Sequence, residues 1–246
     1  MSYLVLSAGA ALVAFILGLI PALFWLAFWL AEDVKRPEPS WLIFFTFVAG
    51  MAAVVLVLPF QEFAAFELPM GFGLLLAWAA IEEVMKLLIV WIAVLRRPEV
   101  DEPMDFPIYL ITVSLGFAAL ENAFFLFGPV SGGHLIESLV TGDLRFIGSA
   151  LVHVLSSAVI GGALAFGYYR ELPQKVLFGA IGVILAISLH AFFNFLIINS
   201  GSSGALTVFL GVWVGIVFLL LAFERVKEIE RPAWWEKMFT RRINEA

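Results

Sequence analysis

The sequence contains no cysteine and few charged residues. Of its 246 residues, none is Cys and 14% are Asp, Glu, Lys or Arg, against about 25% in an ordinary soluble domain. The absence of cysteine excludes disulfide bonds, thiolate metal sites and a cysteine nucleophile. The shortage of charge excludes a disordered chain and a nucleic-acid-binding module, because both classes depend on many charged or polar residues.

Apolar residues make up most of the chain. They account for 63% of it, and the mean hydropathy is +1.03. A soluble globule of 27.1 kDa could not bury that much apolar surface, because its core is limited by surface-to-volume scaling. The composition therefore predicts a polytopic membrane protein in contact with the lipid bilayer. The fold class is all-α, since helices satisfy their own backbone hydrogen bonds in lipid and the chain lacks the alternating pattern of a membrane barrel.

Seven apolar stretches are long enough to cross about 30 Å of hydrocarbon, which takes about 20 helical residues. Because the connecting segments are short, we expect one intramembrane domain over residues 1–223, with a motif-bearing core at 71–198. A charged tail follows at 224–246, and its Trp234 and Trp235 suit a cytoplasmic segment at the membrane interface. The predicted spans are Leu4–Leu30, Trp41–Phe60, Gly71–Leu95, Phe106–Phe127, Phe146–Tyr169, Val176–Ile198 and Ala205–Phe223.

Lys and Arg are distributed very unevenly between the two sides of this arrangement. Twelve of the fourteen lie in the first, third and fifth connections and in the tail, whereas the other side holds only Arg145 and Lys86 lies inside a span. Positive charge marks cytoplasmic segments. The sequence therefore predicts an outside N-terminus, a cytoplasmic C-terminus and a location in the plasma membrane of a prokaryote.

Several polar side chains fall inside the predicted spans. A charge at the bilayer centre costs about 2.5–3.5 kcal/mol on insertion scales, so such residues indicate function. At about 1.5 Å per residue, five of them lie between about 6 and 16 Å below the outer ends of their spans, which predicts one shared cavity. The full set is Glu82, Glu83 and Lys86 in the third span, Glu121 in the fourth, His153 in the fifth, and His190 and Asn194 in the sixth.

These residues also allow structural interpretations. Glu82 or Glu83 could form a plain ion pair with Lys86, and His153 could be a packing residue. His190 and Asn194 could join helices by hydrogen bonds. Chains of buried Glu and His also form proton pathways in transporters, although the sequence shows no inverted repeat.

Several hydrolytic mechanisms are excluded by what the spans lack. There is no H-E-x-x-H zinc motif and no G-x-S-x-G nucleophile elbow. An aspartyl pair is also excluded, because Asp33, Asp101, Asp105 and Asp143 are expected in loops. Carboxylates and imidazoles remain, either as general acids and bases that activate water or as zinc ligands. The candidate zinc ligands are Glu82, Glu121, His153 and His190.

Four short motifs follow one another on consecutive spans. Residues 82–86 read E-E-x-x-K, residues 117–122 read F-x-x-x-E-N, and H-x-x-x-S and H-x-x-x-N begin at His153 and His190. This order resembles the PrsW family of intramembrane proteases, which is related to the CAAX prenyl endopeptidases and to bacteriocin-processing membrane proteins. The CAAX branch typically has the motifs E-E-x-x-x-R and F-x-x-x-H. This sequence has Lys86 in place of the arginine motif and Glu121 in place of the histidine, so it resembles the PrsW branch more.

The resemblance implies a glutamic-type peptidase without a cofactor, with the zinc-dependent form as the alternative. Its substrate would be a membrane-anchored protein, such as an anti-sigma factor, cut near the outer face. Glu82 and Glu121 would activate water, while His190 and Asn194 would bind the tetrahedral oxyanion. His153 would orient groups or transfer protons. Glu83 is predicted as a catalytic residue that supports the others together with Lys86, and the remaining supporting residues would be Asn122 and Ser157.

Overall fold

A computed structural model describes residues 2–31, 36–233 and 235, with the side chains of 2–7, 135–148, 201–203 and 205 left out of the description. Within this part of the chain, all regular structure is helical and no strand occurs, as the all-α prediction requires. The helices are α1 (Ser2–Leu30), α2 (Ser40–Glu67), α3 (Phe72–Ala93), α4 (Asp105–Ser131), α5 (Leu135–Gly167), α6 (Leu172–Asn199) and α7 (Gly201–Lys227).

Each predicted span corresponds to one of these helices, but several helices are longer than predicted. The second span was expected to end at Phe60, whereas α2 continues to Glu67. The fifth was expected from Phe146, whereas the backbone of α5 is helical from Leu135. Hydropathy marks only the apolar middle of a helix, while backbone hydrogen bonding continues into polar ends. The interfacial tail stays a prediction, because residues 236–246 lie outside the described part.

Six of the helices are long and apolar enough to cross a membrane. The exception is α3, which has 22 residues and is thus about 33 Å long, but carries three charged residues near its middle. These are Glu82, Glu83 and Lys86, all of them buried. The protein is therefore a multi-pass membrane protein, while the count of seven spans and the orientation of the termini stay predictions.

Helix α4 is extensively buried in the bundle. It packs against α1, α2 and α5, and nearly every residue between Pro107 and Ala119 is buried. Helix α5 also packs against α6 and α7, and α3 packs against α2 and α6. Helices α2, α3, α6, α5 and α4 thus form a closed ring, and α1 and α7 pack on its outside.

Two glycines allow α2 and α4 to approach very closely. A Cβ atom on Gly50 would collide with the backbone carbonyl of Val113, and one on Gly116 would collide with the carbonyl of Phe47. Small residues at such crossings are typical of membrane helix packing, because backbone contact replaces the hydrophobic driving force. This crossing fixes the position of α4 relative to α2. Both helices contribute residues to the candidate active site.

The placement of two aspartates in loops is wrong. Asp105 is the first residue of α4, and its Oδ2 accepts hydrogen bonds from the backbone N–H groups of Asp101 (2.7 Å) and Glu102 (2.9 Å). Asp143 falls within the residue range of α5, although its side chain is outside the description. Both residues lie before the apolar stretches that define the predicted spans, and the helices begin earlier than those stretches do. Asp33 lies outside the described residues.

Candidate active site

Four helices of the ring bring the polar residues of the predicted spans together. Helix α3 contributes Glu82, Glu83 and Lys86, and α4, α5 and α6 contribute one ionisable residue each. All of these side chains except that of Glu121 are at most about one-twentieth exposed. Such burial requires partners, because an isolated charge in an apolar interior is very costly. The clustered residues are Glu82, Glu83, Lys86, Glu121, His153 and His190.

Glu83 is the hub of the cluster. Its Oε1 accepts hydrogen bonds from Lys86 Nζ (2.8 Å), His190 Nδ1 (2.8 Å) and Ser156 Oγ (2.9 Å). Its Oε2 accepts one from Ser157 Oγ (3.1 Å). Four donors on a fully buried side chain occupy the carboxylate. Glu83 therefore holds α3, α5 and α6 together and has little capacity left for a substrate or a water molecule.

His153 is held at both ring nitrogens. Its Nδ1 lies 2.8 Å from Lys86 Nζ, and its Nε2 lies 2.7 Å from Glu121 Oε2. An ammonium group can only donate, so Nδ1 accepts and Nε2 carries the proton that is donated to Glu121. The ring also packs against Phe117, with a centroid separation of 5.3 Å. The ring orientation and tautomer of His153 follow from these contacts.

One carboxylate oxygen of Glu82 accepts a hydrogen bond and the other does not. Its Oε1 accepts a hydrogen bond from Gln61 Nε2 at 2.8 Å. Its Oε2 is buried and has no hydrogen-bond partner among the described residues. The nearest positive or ring groups are His190 Nε2 at 3.7 Å, Lys86 Nζ at 3.8 Å and His153 Nδ1 at 3.9 Å. Oε2 is therefore a buried acceptor that no donor of the described residues occupies.

A cavity of about 280 Å³ adjoins the cluster. It lies in the half of the bundle where α2, α4 and α6 end and α3 begins. Glu121 reaches it with a side chain that is 37% exposed, and Asn194 lines it close to His190. The remaining lining residues are Gln61, Leu75, Trp78, Glu82, Asn122, Phe125, Ser149, Val152, His153, Phe193, Ile197 and Ile198.

The structure thus places every sequence-predicted site residue in the cluster or beside it. Asn122 lines the cavity, and Ser157 binds Glu83 from α5. Two contributors were missed, Gln61 and Ser156. Gln61 lies one residue beyond the predicted end of the second span, so the span prediction does not include it. Ser156 adjoins the predicted Ser157, and only the rotation of α5 shows that both hydroxyls reach the same carboxylate.

Three residues could hold a metal ion. Glu82, His153 and His190 offer ligand atoms that all lie within 4.8 Å of one another. The Nδ1–H group of His190 donates a hydrogen bond to Glu83, and such a bond commonly orients a histidine that binds a metal through its other ring nitrogen. The unpartnered Oε2 of Glu82 is also compatible with a cation. Both nitrogens of His153 are in use, however, so a metal would compete there with Lys86 or Glu121.

Comparisons with known proteins agree with the resemblance of the four motifs. A family model described as PrsW family intramembrane metalloprotease matches residues 38–222. A protein named Protease PrsW from Shouchella clausii (strain KSM-K16) is 25% identical over 217 residues, covering 87% of this chain and 95% of that relative. One of the same name from Geobacillus kaustophilus (strain HTA426) is 24% identical over 218 residues, covering 87% and 89%.

A third Protease PrsW, from Bacillus subtilis (strain 168), is 26% identical over 186 residues, which are 73% of this chain and 80% of that relative. No solved structure matches the chain. The family model covers all five helices that surround the cavity and most of α7. The protein is therefore a multi-pass bacterial membrane protein that belongs to the PrsW family of intramembrane proteases.

Proposed function

We propose that this protein is an endopeptidase that cleaves membrane-anchored proteins with water activated by Glu82 and Glu121. Membership of a protease family supports a peptidase over a transporter or a proton relay. The observation that carries the mechanism is the unpartnered, buried Oε2 of Glu82, which lies in a cluster that lines the same cavity as the half-exposed Glu121. A buried carboxylate that lacks a donor is suited to accept a proton from water.

The reaction is hydrolysis of one peptide bond. Water adds to the carbonyl carbon as Glu82 Oε2 takes its proton, and Glu121, which lines the same cavity, orients the water. The C–N bond then breaks, and the leaving nitrogen receives a proton from the protonated carboxyl group. His153 keeps Glu121 in place through the Nε2 contact of 2.7 Å and can return a proton between steps.

The negative charge that develops on the substrate oxygen needs hydrogen-bond donors. Asn194 lines the cavity and can donate from its amide. His190 donates Nδ1–H to Glu83, so it can also donate from Nε2 only when both of its nitrogens carry a proton. Glu82 and Glu83, which flank the ring, supply the counter-charge for that state.

A zinc-dependent form of the same hydrolysis is the second candidate. Two observations favour it over the expected absence of a cofactor: the family description is that of a metalloprotease, and three ligand groups converge. Glu82, His153 and His190 would hold the ion, and zinc would supply Lewis-acid polarisation and a more acidic water. Glu121 contacts only His153 among these residues and would be left as the general base.

Elemental analysis of purified, active protein separates the two forms. One zinc per chain, with activity lost to a chelator and restored by zinc, establishes the metal-dependent form. Full activity at a zinc content far below one per chain establishes the glutamate-only form. As a control, His134→Ala removes the remaining histidine of the chain, which lies outside the cavity, and should change neither zinc content nor activity.

The proposed substrate is a protein with a single membrane anchor, such as an anti-sigma factor, cut near the outer face of the membrane. The cavity lies toward the ends of α2, α4 and α6, which are outer ends in the orientation that the distribution of Lys and Arg predicts. A cavity of about 280 Å³ accommodates a few residues of an extended peptide. The substrate must therefore be unwound locally at the scissile bond.

The proposal is tested in bacterial cells that lack the gene. The cells are complemented with the wild-type protein, Glu82→Gln or Glu121→Gln, and the N-termini of their membrane proteins are compared. Only the wild-type protein should produce a new N-terminus in a membrane-anchored protein. With that substrate purified, each Glu→Gln change should lower the cleavage rate about 10²–10⁴-fold, the usual contribution of a general base.

The matched control is Glu62→Gln, since Glu62 is an exposed carboxylate on α2 that is absent from the cavity lining. It should cleave at the wild-type rate. Wild-type cleavage by both Glu82→Gln and Glu121→Gln would exclude the proposed mechanism. A substrate other than an anti-sigma factor would correct only the substrate assignment.

A further inference from the structure

We infer that Gln61 is a positioning residue that makes Oε2, rather than Oε1, the reactive oxygen of Glu82. The inference rests on the proposed role of Glu82 and adds a residue from α2, a helix that carries none of the four motifs. The two oxygens of a carboxylate are chemically equivalent, and rotation about the last side-chain bond exchanges them. A single directed hydrogen bond removes this equivalence.

The contact between the two side chains has one chemically sensible direction. Gln61 Nε2 lies 2.8 Å from Glu82 Oε1. An ionised carboxylate can only accept hydrogen bonds, so the amide nitrogen, and not the amide oxygen, faces Glu82. The bond occupies Oε1 and leaves Oε2 directed toward His190, Lys86 and His153, without a donor of its own.

A second contact holds Gln61 itself. The indole Nε1 of Trp78 donates to the backbone oxygen of Gln61 at 3.0 Å. Trp78 lies one helical turn before Glu82 on α3, so both side chains lie on the same face of that helix. The backbone of Gln61 is thus tied to one turn of α3 and its side chain to the next. Two points of attachment define the orientation of the amide better than one would.

The position of Gln61 suits this role. It is partly buried and lines the cavity beside Glu82 and Trp78. A glutamine is neutral, so it adds no charge to a cluster that already contains three carboxylates and one lysine. It therefore orients Glu82 without neutralising it, which a lysine or arginine at this position would do.

The test begins with Gln61→Met, which keeps the length of the side chain and removes the donor. We expect kcat to fall about 10–100-fold with KM nearly unchanged, the range for a residue that orients a reactive group. Glu62→Met is the matched control, because Glu62 follows Gln61 on α2 and its side chain is exposed. It should leave kcat unchanged. Wild-type kcat in Gln61→Met would overturn the inference.

A double-mutant cycle on the unfolding temperature tests the contact without using activity. Gln61→Met should lower the unfolding temperature of the wild-type protein and lower it clearly less in a Glu82→Gln background, because the bond to an ionised oxygen is already lost there. Equal losses in the two backgrounds would show that Gln61 acts through packing alone, which would overturn the inference.

Trp78→Phe provides an independent variant with a smaller change. It removes the indole donor, keeps an aromatic ring in the cavity wall, and should lower kcat in the same direction as Gln61→Met but less. Absence of any cleavage by the wild-type protein would contradict the proposed peptidase function, while the coupling in unfolding temperature would still decide whether Gln61 positions Glu82.

Discussion

At the scale of single residues, the adjacent glutamates of the E-E-x-x-K motif have different environments. Neighbouring residues of a helix point about 100° apart. Glu83 is directed between α5 and α6, where four donors bind it. Glu82 is directed to the cavity and receives one hydrogen bond, from Gln61. Glu83 therefore has the contacts of a structural anchor and Glu82 those of a reactive group.

Glu82→Gln and Glu83→Gln should separate activity from stability. Glu82→Gln should lower the cleavage rate about 10²–10⁴-fold with little change in the unfolding temperature in detergent, because the weakened bond from Gln61 is offset by removal of a buried charge whose Oε2 has no donor. Glu83→Gln should lower the free energy of unfolding by about 3–5 kcal/mol, since it leaves the buried Lys86 without its closest anion. Equal destabilisation by both changes would show that the cluster is structural throughout.

Asn194→Ala should lower the cleavage rate by about 10²–10³-fold if its amide binds the oxyanion, with the unfolding temperature unchanged. Asn199→Ala is the matched control on the same helix, because Asn199 is exposed and its Nδ2 donates to the backbone oxygen of Phe195. Rates are compared with saturating substrate in the same detergent. A loss of similar size in both variants would argue against an oxyanion role for Asn194.

At the scale of helices, the site depends on how closely α4 approaches its neighbours. Glu121 projects from α4, and its contact with His153 joins α4 to α5. The crossing of α2 and α4 at Gly50 and Gly116 sets the separation of their backbones. Displacement of α4 would move Glu121 relative to Glu82, although neither glycine lines the cavity.

Gly116→Ala should destabilise the protein by about 1–3 kcal/mol, because the added methyl group meets the backbone of Phe47, which cannot rotate away. Thermal unfolding in detergent measures the loss. The control is Gly162→Ala on α5, where a Cβ atom meets nothing within 4 Å; it should be neutral or stabilising, because Ala favours helix over Gly. Equal stability of the two variants would contradict the close crossing.

At the scale of the whole molecule, the cavity lies toward one end of the bundle. The lining residues come from the later parts of α2, α4 and α6 and the first half of α3. The connections at the opposite end carry Arg36, Arg96, Arg97 and Arg170. In the orientation that these charges predict, the cavity is closer to the outer face, which suits cleavage of an exported domain from its membrane anchor.

Reporter fusions at the two ends test this orientation. A reporter that is active only in the cytoplasm should work at the C-terminus and fail at the N-terminus, and a periplasmic or extracellular reporter should behave in the opposite way. Fusions in the segments between α3 and α4 and between α4 and α5 supply internal controls on opposite sides. A cytoplasmic N-terminus would place the cavity near the inner face and exclude cleavage of an exported domain there.

The sequence by itself determined the membrane location, the helical class and the identity of most of the polar cluster. Each of these depends on local composition or on spacing along one helix, which hydropathy and short motifs record. The depth estimate also predicted one shared cavity for Glu82, Glu121, His153 and His190, and all four residues line one cavity.

Only the tertiary structure decided how these groups divide their roles. Whether Glu82 or Glu83 faces the cavity depends on the rotation of α3 within the bundle, and the partners of each carboxylate come from helices distant in the sequence. Gln61 and Ser156 contact residues 21 and 73 positions away, so no local pattern marks them. Packing also explains why Oε2 of Glu82 has no partner among the described residues. The neighbouring helices direct their donors to other acceptors.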